Sequence, residues 1–503
     1  MFEEPDLFYQ PPAPWQPHNY QKRMVKFLLE HAAGALFASP GVGKTSVTMA
    51  AIKLLKKKGL TGKVWIIAPL RVCHATWPRE LKKWTDFKDL TIEVLHGPKK
   101  DQALQREADI YVLNPEGLDW LFGAKREKKI VRGRERTVIT IDLARAKKIL
   151  GPNPLLVIDE LTKFKSHSSG RFKLMKEVLH LFSRRWGLTG SPAANGLLDL
   201  FGQCYMLDQG RSLGQYITHY RTTYFRTVDK QGFVWVPLPG AEERIYERLD
   251  PLVMRVAAED YLELPQLVEN IIKIDLPDNV RKIYDALEED LITGIDSDII
   301  VAKNAAVASM KCRQVASGGL YITPEVEELV KRPKGQREWY DLHWEKVDAL
   351  EDLVEELQGQ PLLVAYDFGH SLARLQERFK GRPRTAFVSE VKPKDFPVLE
   401  AQWNNNELDL LFAHPLSIAH GLNMQECGQH VAWLDDTWDY EAYMQFIMRI
   451  LRQGNKHKRV FVHHIVARDT IDEAMLWSRK SKKKGQDALF AGLQQLAKQR
   501  HRK

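Results

Sequence analysis

Two regions of the chain alternate short apolar runs with longer amphipathic stretches. The short runs have the length of strands, and the stretches between them have helical length, as in SVTMAAIKLLKKK (46–58). Such alternation is typical of parallel α/β domains, in which helices cover a buried sheet. The predicted strands are 34–39, 63–69, 91–97, 109–114, 154–160 and 184–190 in the first region, and 361–368, 384–390, 408–415, 430–436 and 459–467 in the second.

The remaining segments follow other patterns. Residues 124–148 form an insertion for which we expect a hairpin followed by a helix. Between the two regions strand-like runs become rare, and Pro and Gly interrupt a mostly helix-like pattern. The sequence therefore predicts an α/β protein with an N-terminal lobe over 1–205, a mostly helical region over 206–345, a C-terminal lobe over 346–478 and a basic tail over 479–503.

The distribution of charge along the chain is uneven only near the C-terminus. The formal net charge of the 503 residues is +9, and the last 25 residues hold nine Lys or Arg and one Asp. The rest is nearly neutral, and the tail either contacts phosphates or is a solvated end. The four cysteines lack ligand-like spacing, and no signal-like or membrane-spanning stretch is present in the sequence. These features predict a cytoplasmic location.

The stretch LFASPGVGKTS places a small-residue loop between an apolar strand and a helix. The pattern Gly-x4-Gly-Lys-Ser/Thr holds nucleotide phosphates, because backbone N–H groups and a helix N-terminus surround the phosphate oxygens. Ala38 replaces the first Gly, while Gly41 and Gly43 supply the tight curvature. We expect Lys44 to reach the β- and γ-phosphates and the Thr45 hydroxyl to bind Mg²⁺. A strand-to-helix turn without a ligand is the alternative.

A second metal ligand is expected at the end of an apolar strand. The run PLLVIDE (154–160) places Asp159 directly after four apolar residues, and Glu160 follows it. Asp159 would then hold Mg²⁺, and Glu160 would polarise the attacking water. A lone Asp-Glu pair is usually only a strand end, but together with the phosphate loop it predicts nucleotide hydrolysis.

From about residue 16 to 475 the chain resembles superfamily-two helicases, and in particular the Swi/Snf-type double-stranded DNA translocases, including compact versions from phages and bacteria. The similar segments occur in the family's order. They are WQPHNYQKRMVKFLL (15–29), KVWIIAPLRVCHATWPREL (63–81), VIDELT (157–162), GLTGSPAANGLLDLF (187–201), LVMRVAAEDYLELP (252–265), CRQVASGG (312–319), PLLVAYDF (361–368), HPLSIAHGLNMQECGQHVAWLDDTWDY (414–440) and QFIMRILRQGNK (445–456). The chain departs from the usual Asp-Glu-Ala-His by carrying DELT, so the coupling that the His provides must be made differently here.

The resemblance implies two RecA-like parallel-sheet lobes with ATP between them. In the first lobe, Thr189 and Ser191 would link the nucleotide site to the carboxylate strand. In the second, Arg449 and Arg452 are three residues apart and would share a helix face, with Arg452 favoured as an arginine finger. The implied catalytic residues are Lys44, Asp159, Glu160, Arg449 and Arg452. The implied ATP-binding residues are Gln21 (at the adenine edge), Pro40, Gly41, Gly43, Lys44, Thr45 and Gly421, with Thr45 and Asp159 on Mg²⁺.

Contacts with DNA are expected mainly at phosphates, because a motor must step over any sequence. The candidate residues are Arg71, His74, Lys163, Lys165, His420 and Asn423. For each of them, ordinary surface polarity is the alternative. Trp438 would be either a stacking platform for bases or an aromatic side chain that packs within its lobe.

The resemblance thus implies a DNA-stimulated ATPase that moves on duplex DNA with ATP and Mg²⁺ as cofactors, in a bacterial or phage-infected cell. A strand-separating DNA or RNA helicase is one alternative. A non-catalytic nucleic-acid-binding scaffold on a decayed motor is another, and a restriction-type motor subunit would need partner chains. The short middle region argues against nucleosome work as the native task.

Overall fold

The chain forms two compact units, Met1–Glu263 and Leu264–Lys503, called the first lobe and the second lobe below. The computed structural model describes residues 12–131, 134–190, 192–193, 196–227, 235–257, 264–296, 302–321, 339–392, 395–418 and 422–480. Each lobe is built around one parallel sheet covered by helices.

Seven parallel strands form the main sheet of the first lobe, in the order β11-β1-β8-β7-β2-β4-β3. Two further pairs, β5–β6 and β9–β10, are antiparallel. The strands of this lobe are β1 (Ala33–Ala38), β2 (Val64–Ile67), β3 (Ile92–Val94), β4 (Ile110–Leu113), β5 (Lys125–Val131), β6 (Arg134–Thr140), β7 (Leu155–Asp159), β8 (Arg184–Thr189), β9 (Phe225–Thr227), β10 (Trp235–Pro237) and β11 (Val253–Val256).

Six parallel strands form the main sheet of the second lobe, in the order β12-β19-β18-β15-β17-β16, and β13–β14 is a separate antiparallel pair. The strands are β12 (Gln266–Ile274), β13 (Gly319–Tyr321), β14 (Trp339–Asp341), β15 (Leu362–Ala365), β16 (Thr385–Phe387), β17 (Leu410–Ala413), β18 (His430–Trp433) and β19 (Arg459–Ala467).

Helices connect the strands in both lobes. In the first lobe the α-helices are Asn19–Glu30, Lys44–Lys57, Trp77–Lys83, Lys100–Gln105, Leu118–Leu121, Leu143–Leu150, Gly170–Val178, Asp199–Asp208, Ile217–Tyr224 and Ala241–Leu249. In the second they are Asp278–Asp296, Ala302–Ala316, Glu345–Glu356, Gly369–Phe379, Phe396–Asn404, Pro415–Ile418, Tyr440–Ile447 and Ile471–Lys480. A π-helical turn, Val72–Thr76, leads into the helix that begins at Trp77.

The central strands are apolar along their whole length because both of their faces are buried. All four residues of β2 (VWII) and of β4 (IYVL) are buried, as is the LLVI run of β7. Trp65 and Tyr111 stack across β2 and β4, with 4.8 Å between their ring centroids. Burial on both faces by flanking helices is the arrangement that a parallel sheet requires, and it makes a rigid base for the loops at the strand ends.

All eleven predicted strands are present, with ends shifted by at most three residues. The predicted insertion is confirmed as the β5–β6 hairpin followed by the helix Leu143–Leu150.

The described residues of the range 206–345 contain more helix than strand, but they also form strands that the pattern did not predict. These strands include β11, which pairs with β1, and β12, which pairs with β19, so this range adds one edge strand to each sheet. Edge strands need no continuous apolar run. Most residues of β12 are indeed exposed or half-buried, which is why its pattern did not stand out.

Candidate nucleotide-binding site

The loop between β1 and the helix Lys44–Lys57 has the backbone of a phosphate-binding loop. Gly41 and Gly43 have φ angles of +87° and +82°, a region that side chains rarely adopt. Gly43 also has no room for a side chain, because an added Cβ would lie 2.4 Å from Nε2 of Gln21. The predicted need for glycine at position 43 therefore has two physical causes, curvature and close approach.

Lys44 is the first residue of this helix, and its ammonium group lies across the loop. It donates to the carbonyl oxygens of Ala38 at 2.7 Å and Ser39 at 3.1 Å. Thr45 follows as a half-buried residue in the first helical turn. A positive charge, a hydroxyl group and the helix N-terminus thus lie within one turn, where an anionic ligand is favoured.

Gln21 supports the loop from the buried side of the helix Asn19–Glu30. Its Nε2 donates to the carbonyl of Val42 at 3.1 Å, and its Oε1 accepts from the backbone N–H of His18 at 2.9 Å. The side chain is therefore oriented at both ends of its amide group. The contact with an adenine edge stays a prediction.

Asp159 ends β7, which lies between β8 and β2 in the sheet. Its Oδ2 accepts a hydrogen bond of 2.9 Å from the indole Nε1 of the fully buried Trp77. Burial and the neighbouring charge of Glu160 raise the pKa of the Asp159 carboxyl to about 6, while Lys44 and the Trp77 bond act in the opposite direction. The site therefore holds a carboxylate whose negative charge is incompletely compensated in the free protein.

Glu160 adopts a left-handed conformation with φ of +66°. Its Oε1 accepts from two hydroxyl groups, that of Thr162 at 2.8 Å and that of Thr189 at 3.1 Å. Thr162 stands where the usual Asp-Glu-Ala-His motif has its His. The expected link from Thr189 to the carboxylate strand is present as this hydrogen bond, and DELT offers Glu160 a hydroxyl group where the usual motif has an imidazole. Ser191 lies outside the described residues.

The end of β8 also contacts the phosphate loop. An added Cβ on Gly190 would lie 3.3 Å from Cδ of Pro40, so the two segments are in van der Waals contact. The structure therefore brings together the loop after β1, the end of β8 and the end of β7, which are three neighbouring strands.

In the second lobe, Arg449 and Arg452 both form hydrogen bonds to one loop, residues 422–424. Arg449 is buried and donates from Nη1 to the carbonyl of Leu422 at 3.0 Å, and Nη1 of Arg452 donates to Oδ1 of Asn423. The backbone N–H of Met424 donates to the carbonyl of Arg449 at 3.1 Å. Both arginines thus fix the conformation of residues 422–424.

The expectation that Arg449 and Arg452 share a helix face is wrong. The helix ends at Ile447, and the arginines lie in the turns that follow it. The backbone carbonyl of Arg449 accepts a hydrogen bond from the N–H of Met424. In a helix it would accept from the N–H four residues later along the chain, so the backbone is no longer helical at this point. Gly421 and His420 lie outside the described residues.

The candidate DNA-contact residues of the first lobe follow strand ends. Arg71 and His74 come after β2, and Nε2 of His74 lies 3.2 Å from Nδ1 of His96. Lys163 is exposed in the turn after β7, whereas Lys165 pairs with Asp199 at 3.4 Å.

In the second lobe, the candidate nucleic-acid residues Asn423 and Trp438 form hydrogen bonds within the lobe. The side chain of Asn423 accepts from Arg452, and its backbone N–H donates to Glu400 at 3.1 Å. The indole of Trp438 donates to Oγ of Ser309 at 3.2 Å and packs against the core, as the packing alternative for Trp438 expected. Contact with nucleic acid stays a prediction for all of these residues.

Sequence reasoning missed the roles of Trp77 and Thr162. Trp77 lies within a segment that carries the family resemblance, but no spacing rule connects it to a carboxylate that follows 82 residues later. For Thr162 the sequence did contain a signal, because a Thr hydroxyl at the position of the His can still donate a hydrogen bond.

Residues 20–317 match the family described as SNF2-related domain, more than half of the chain. The chain belongs to this family. It is an ATP hydrolase with the SNF2 ATPase fold, and ATP is its substrate.

Relatives of this SNF2 chain include phage and eukaryotic proteins. It is 32% identical over 497 residues to a protein named p41 of Acyrthosiphon pisum secondary endosymbiont phage 1, covering 95% of this chain and 98% of p41. It is 23% identical over 490 residues to the CHD3-type chromatin-remodeling factor CHR7 of Arabidopsis thaliana, covering 92% of this chain. The chain spans only 37% of the length of CHR7.

A similar solved structure is the Sulfolobus solfataricus SWI2/SNF2 ATPase core in complex with dsDNA. It is 19% identical, covers 96% of both chains and has a TM-score of 0.40. Among the described residues of the SNF2 chain, no helix combines the length and the apolar character needed to cross a membrane.

The burial of Asp159 predicts that Asp159→Asn stabilises the free SNF2 protein at neutral pH. The folded pKa of about 6 lies above the unfolded value of about 3.9, so raising the pH between these values costs folding energy, and Asn avoids this cost. We expect a gain of roughly 1–3 kcal/mol at pH 7 that shrinks as the pH falls from 6 towards 4.

The measurement is urea unfolding in EDTA, with the exposed Glu107→Gln as the matched carboxyl-to-amide control. Equal unfolding midpoints for Asp159→Asn and the parent chain at pH 7 would contradict the prediction.

Proposed function

We propose that this SNF2 protein is a motor that couples ATP hydrolysis to movement along duplex DNA. The observation that carries the proposal is the convergence of Lys44, Asp159 and Glu160 at one edge of one sheet, with Thr189 bonded to Glu160. These are the parts of a phosphoryl-transfer site, which works by positioning and by stabilising charge. The decayed-scaffold alternative is disfavoured because this set is intact.

In the first lobe, Lys44 would release the carbonyl groups of Ala38 and Ser39 and bind the β- and γ-phosphates. Backbone N–H groups of the loop and of the helix N-terminus would hold the same phosphates. Glu160, oriented by its two threonine hydroxyl groups, would then align the attacking water.

The residues present fit a magnesium ion. Mg²⁺ prefers oxygen ligands, and it commonly binds through one or two carboxylates together with substrate phosphates. Asp159 is a half-buried carboxylate whose charge is only partly compensated, and Thr45 offers a hydroxyl oxygen. We assign these two residues as the protein ligands. The ion would neutralise charge on the phosphate oxygens.

In the second lobe, we assign Arg452 as the arginine finger. Arg449 is buried and bonded to two backbone carbonyls, that of Gln445 and that of Leu422, which suits a residue that shapes the loop. Arg452 is half-buried and bonds one neutral side-chain oxygen, which is a weaker partner than a phosphate. Hydrolysis would thus require both lobes, and cycles of closure would drive stepping.

Duplex DNA is favoured over RNA by family membership and by the name of one relative, a chromatin-remodeling factor. The proposed contacts are with phosphates, from Arg71, His74 and Lys163 in the first lobe and from Asn423 in the second. Such contacts are independent of sequence, as a translocating protein needs.

Stimulation of ATP hydrolysis by duplex DNA tests the proposed function. We expect the purified protein to hydrolyse ATP slowly alone, faster with single-stranded DNA and fastest with duplex DNA, with RNA as the weakest activator. All nucleic acids should share one sequence and length, and Lys44→Ala serves as the background control. Stimulation by RNA alone would favour a strand-separating RNA helicase, and no stimulation by any nucleic acid would favour the scaffold.

Arg452→Ala is expected to retain nucleotide binding and to lose most hydrolysis. An arginine on the developing γ-phosphate charge contributes about 10³–10⁵ to the rate. Single-turnover hydrolysis and binding of a fluorescent ATP analogue separate the two effects. Arg382→Ala, an exposed arginine in the same lobe, is the control. Near-normal turnover of Arg452→Ala would remove the finger assignment.

Trp77→Phe is expected to weaken Mg²⁺-dependent nucleotide binding by about ten- to hundredfold, the effect of losing one hydrogen bond to a charged group. Binding in EDTA should not change, because the bond from Trp77 orients the carboxylate and not the phosphates. Trp120→Phe is a matched control, since its indole donates to Asp101 at 3.0 Å on the surface. Equal losses with and without Mg²⁺ would indicate a merely structural role for Trp77.

A further inference from the structure

The antiparallel pair β5–β6, called the ribbon here, stands apart from the main sheet of the first lobe. Among the described residues its strands pair with each other and with no strand of that sheet. Lys125 and Lys128 of the ribbon are exposed, and Ile130 is 81% exposed. Ile130 therefore leaves most of its apolar side chain in water.

The composition of the ribbon opposes its own stability. Its two strands contain six Lys or Arg residues and two Glu residues. In the register, Lys129 lies directly opposite Arg136. Like charges in directly opposed positions destabilise a strand pair, and an isolated two-stranded hairpin is marginal in water. The charges of the ribbon therefore disfavour its folding in isolation, and they favour binding of a polyanionic ligand.

The root of the ribbon is fixed to the lobe. Arg126 donates from Nε and Nη2 to the two carboxylate oxygens of Asp119, each at 2.9 Å. Ile139 packs against the core, and Nη1 of Arg126 lies so close to Gly170 that an added Cβ would be 2.2 Å away. The root of the ribbon is therefore anchored to the lobe through Arg126 and Ile139.

The root lies beside the other candidate DNA contacts. In the sheet, β7, β2 and β4 are consecutive neighbours and all run parallel, so their following loops meet at one edge. The loop after β7 carries Lys163, the loop after β2 carries Arg71 and His74, and the ribbon follows β4 through Asp119. Three adjacent strand ends thus present basic groups on the same edge.

We propose that the ribbon is a second phosphate-binding arm, which grips duplex DNA beside the motor contacts and without sequence preference. The proposal rests on the proposed function. A two-stranded β-ribbon has the width to enter the major groove of B-DNA. DNA phosphates would offset the like charges that the register places at the opposed positions 129 and 136, while counterions are released. RNA duplexes suit the ribbon less, because their major groove is deep and narrow.

The double variant Lys129→Gln/Arg136→Gln tests the arm, because stability and binding should change in opposite directions. Removing the opposed charges should leave thermal stability equal or higher. Affinity for a fluorescein-labelled DNA duplex should fall. The slope of log affinity against log salt concentration should decrease by about 1–2, because each DNA phosphate that the protein no longer neutralises removes about one unit. Duplex RNA, measured in parallel, should show a smaller change.

The matched control is Lys147→Gln/Lys148→Gln, which removes two exposed charges from the helix after the ribbon. We expect its salt slope to stay within about half a unit of the parent value. If the ribbon variant and this control lose equal affinity, only net charge matters and the arm is excluded.

Unchanged affinity and slope in the ribbon variant would also exclude the arm, and would leave a protein partner as the ribbon's ligand. In both of these outcomes the parent chain still binds duplex DNA and its ATPase activity still responds to it. A parent chain without DNA-stimulated hydrolysis would instead overturn the proposed function, so the two failures are distinguishable.

Discussion

The parallel direction of the strands in the first lobe is the constraint on which the candidate site depends. Strands in a sheet lie about 4.8 Å apart, so residues that follow neighbouring strands meet whatever their distance along the chain. This brings the loop after β1, Thr189 at the end of β8 and the carboxylates at the end of β7 to one edge. The same constraint places the basic residues after β7 and β2, and the root of the ribbon, further along that edge.

Burial then decides how these residues behave. The Asp159 carboxyl has a raised pKa because it is buried beside another carboxylate, and the indole of Trp77 only partly offsets this effect. Glu160 is oriented by two threonine hydroxyl groups without an imidazole. DELT therefore keeps a carboxylate that is oriented by hydrogen bonds, as the function proposed for Glu160 requires.

The elements that sequence reasoning recovered are those with a strong local signal. Central strands such as β2 and β7 are continuous apolar runs, and the phosphate loop has its glycines where positive φ angles require them. The edge strands β11 and β12 were missed because exposed positions interrupt their apolar pattern. The prediction that Arg449 lies on a helix was wrong because the helix ends at Ile447, and the backbone carbonyl of Arg449 accepts from Met424, a residue on another segment.

The sequence alone determined the α/β class, the phosphate loop and the order of the motifs, because each is written in residues close together along the chain. Only the tertiary structure decided that Trp77 donates to Asp159, that Thr162 and Thr189 share one oxygen of Glu160, and that Arg126 of the ribbon binds Asp119. These pairings join residues whose proximity results from strand order in the sheet. Strand order is set by the packing of the whole lobe, and no local pattern of residues encodes it.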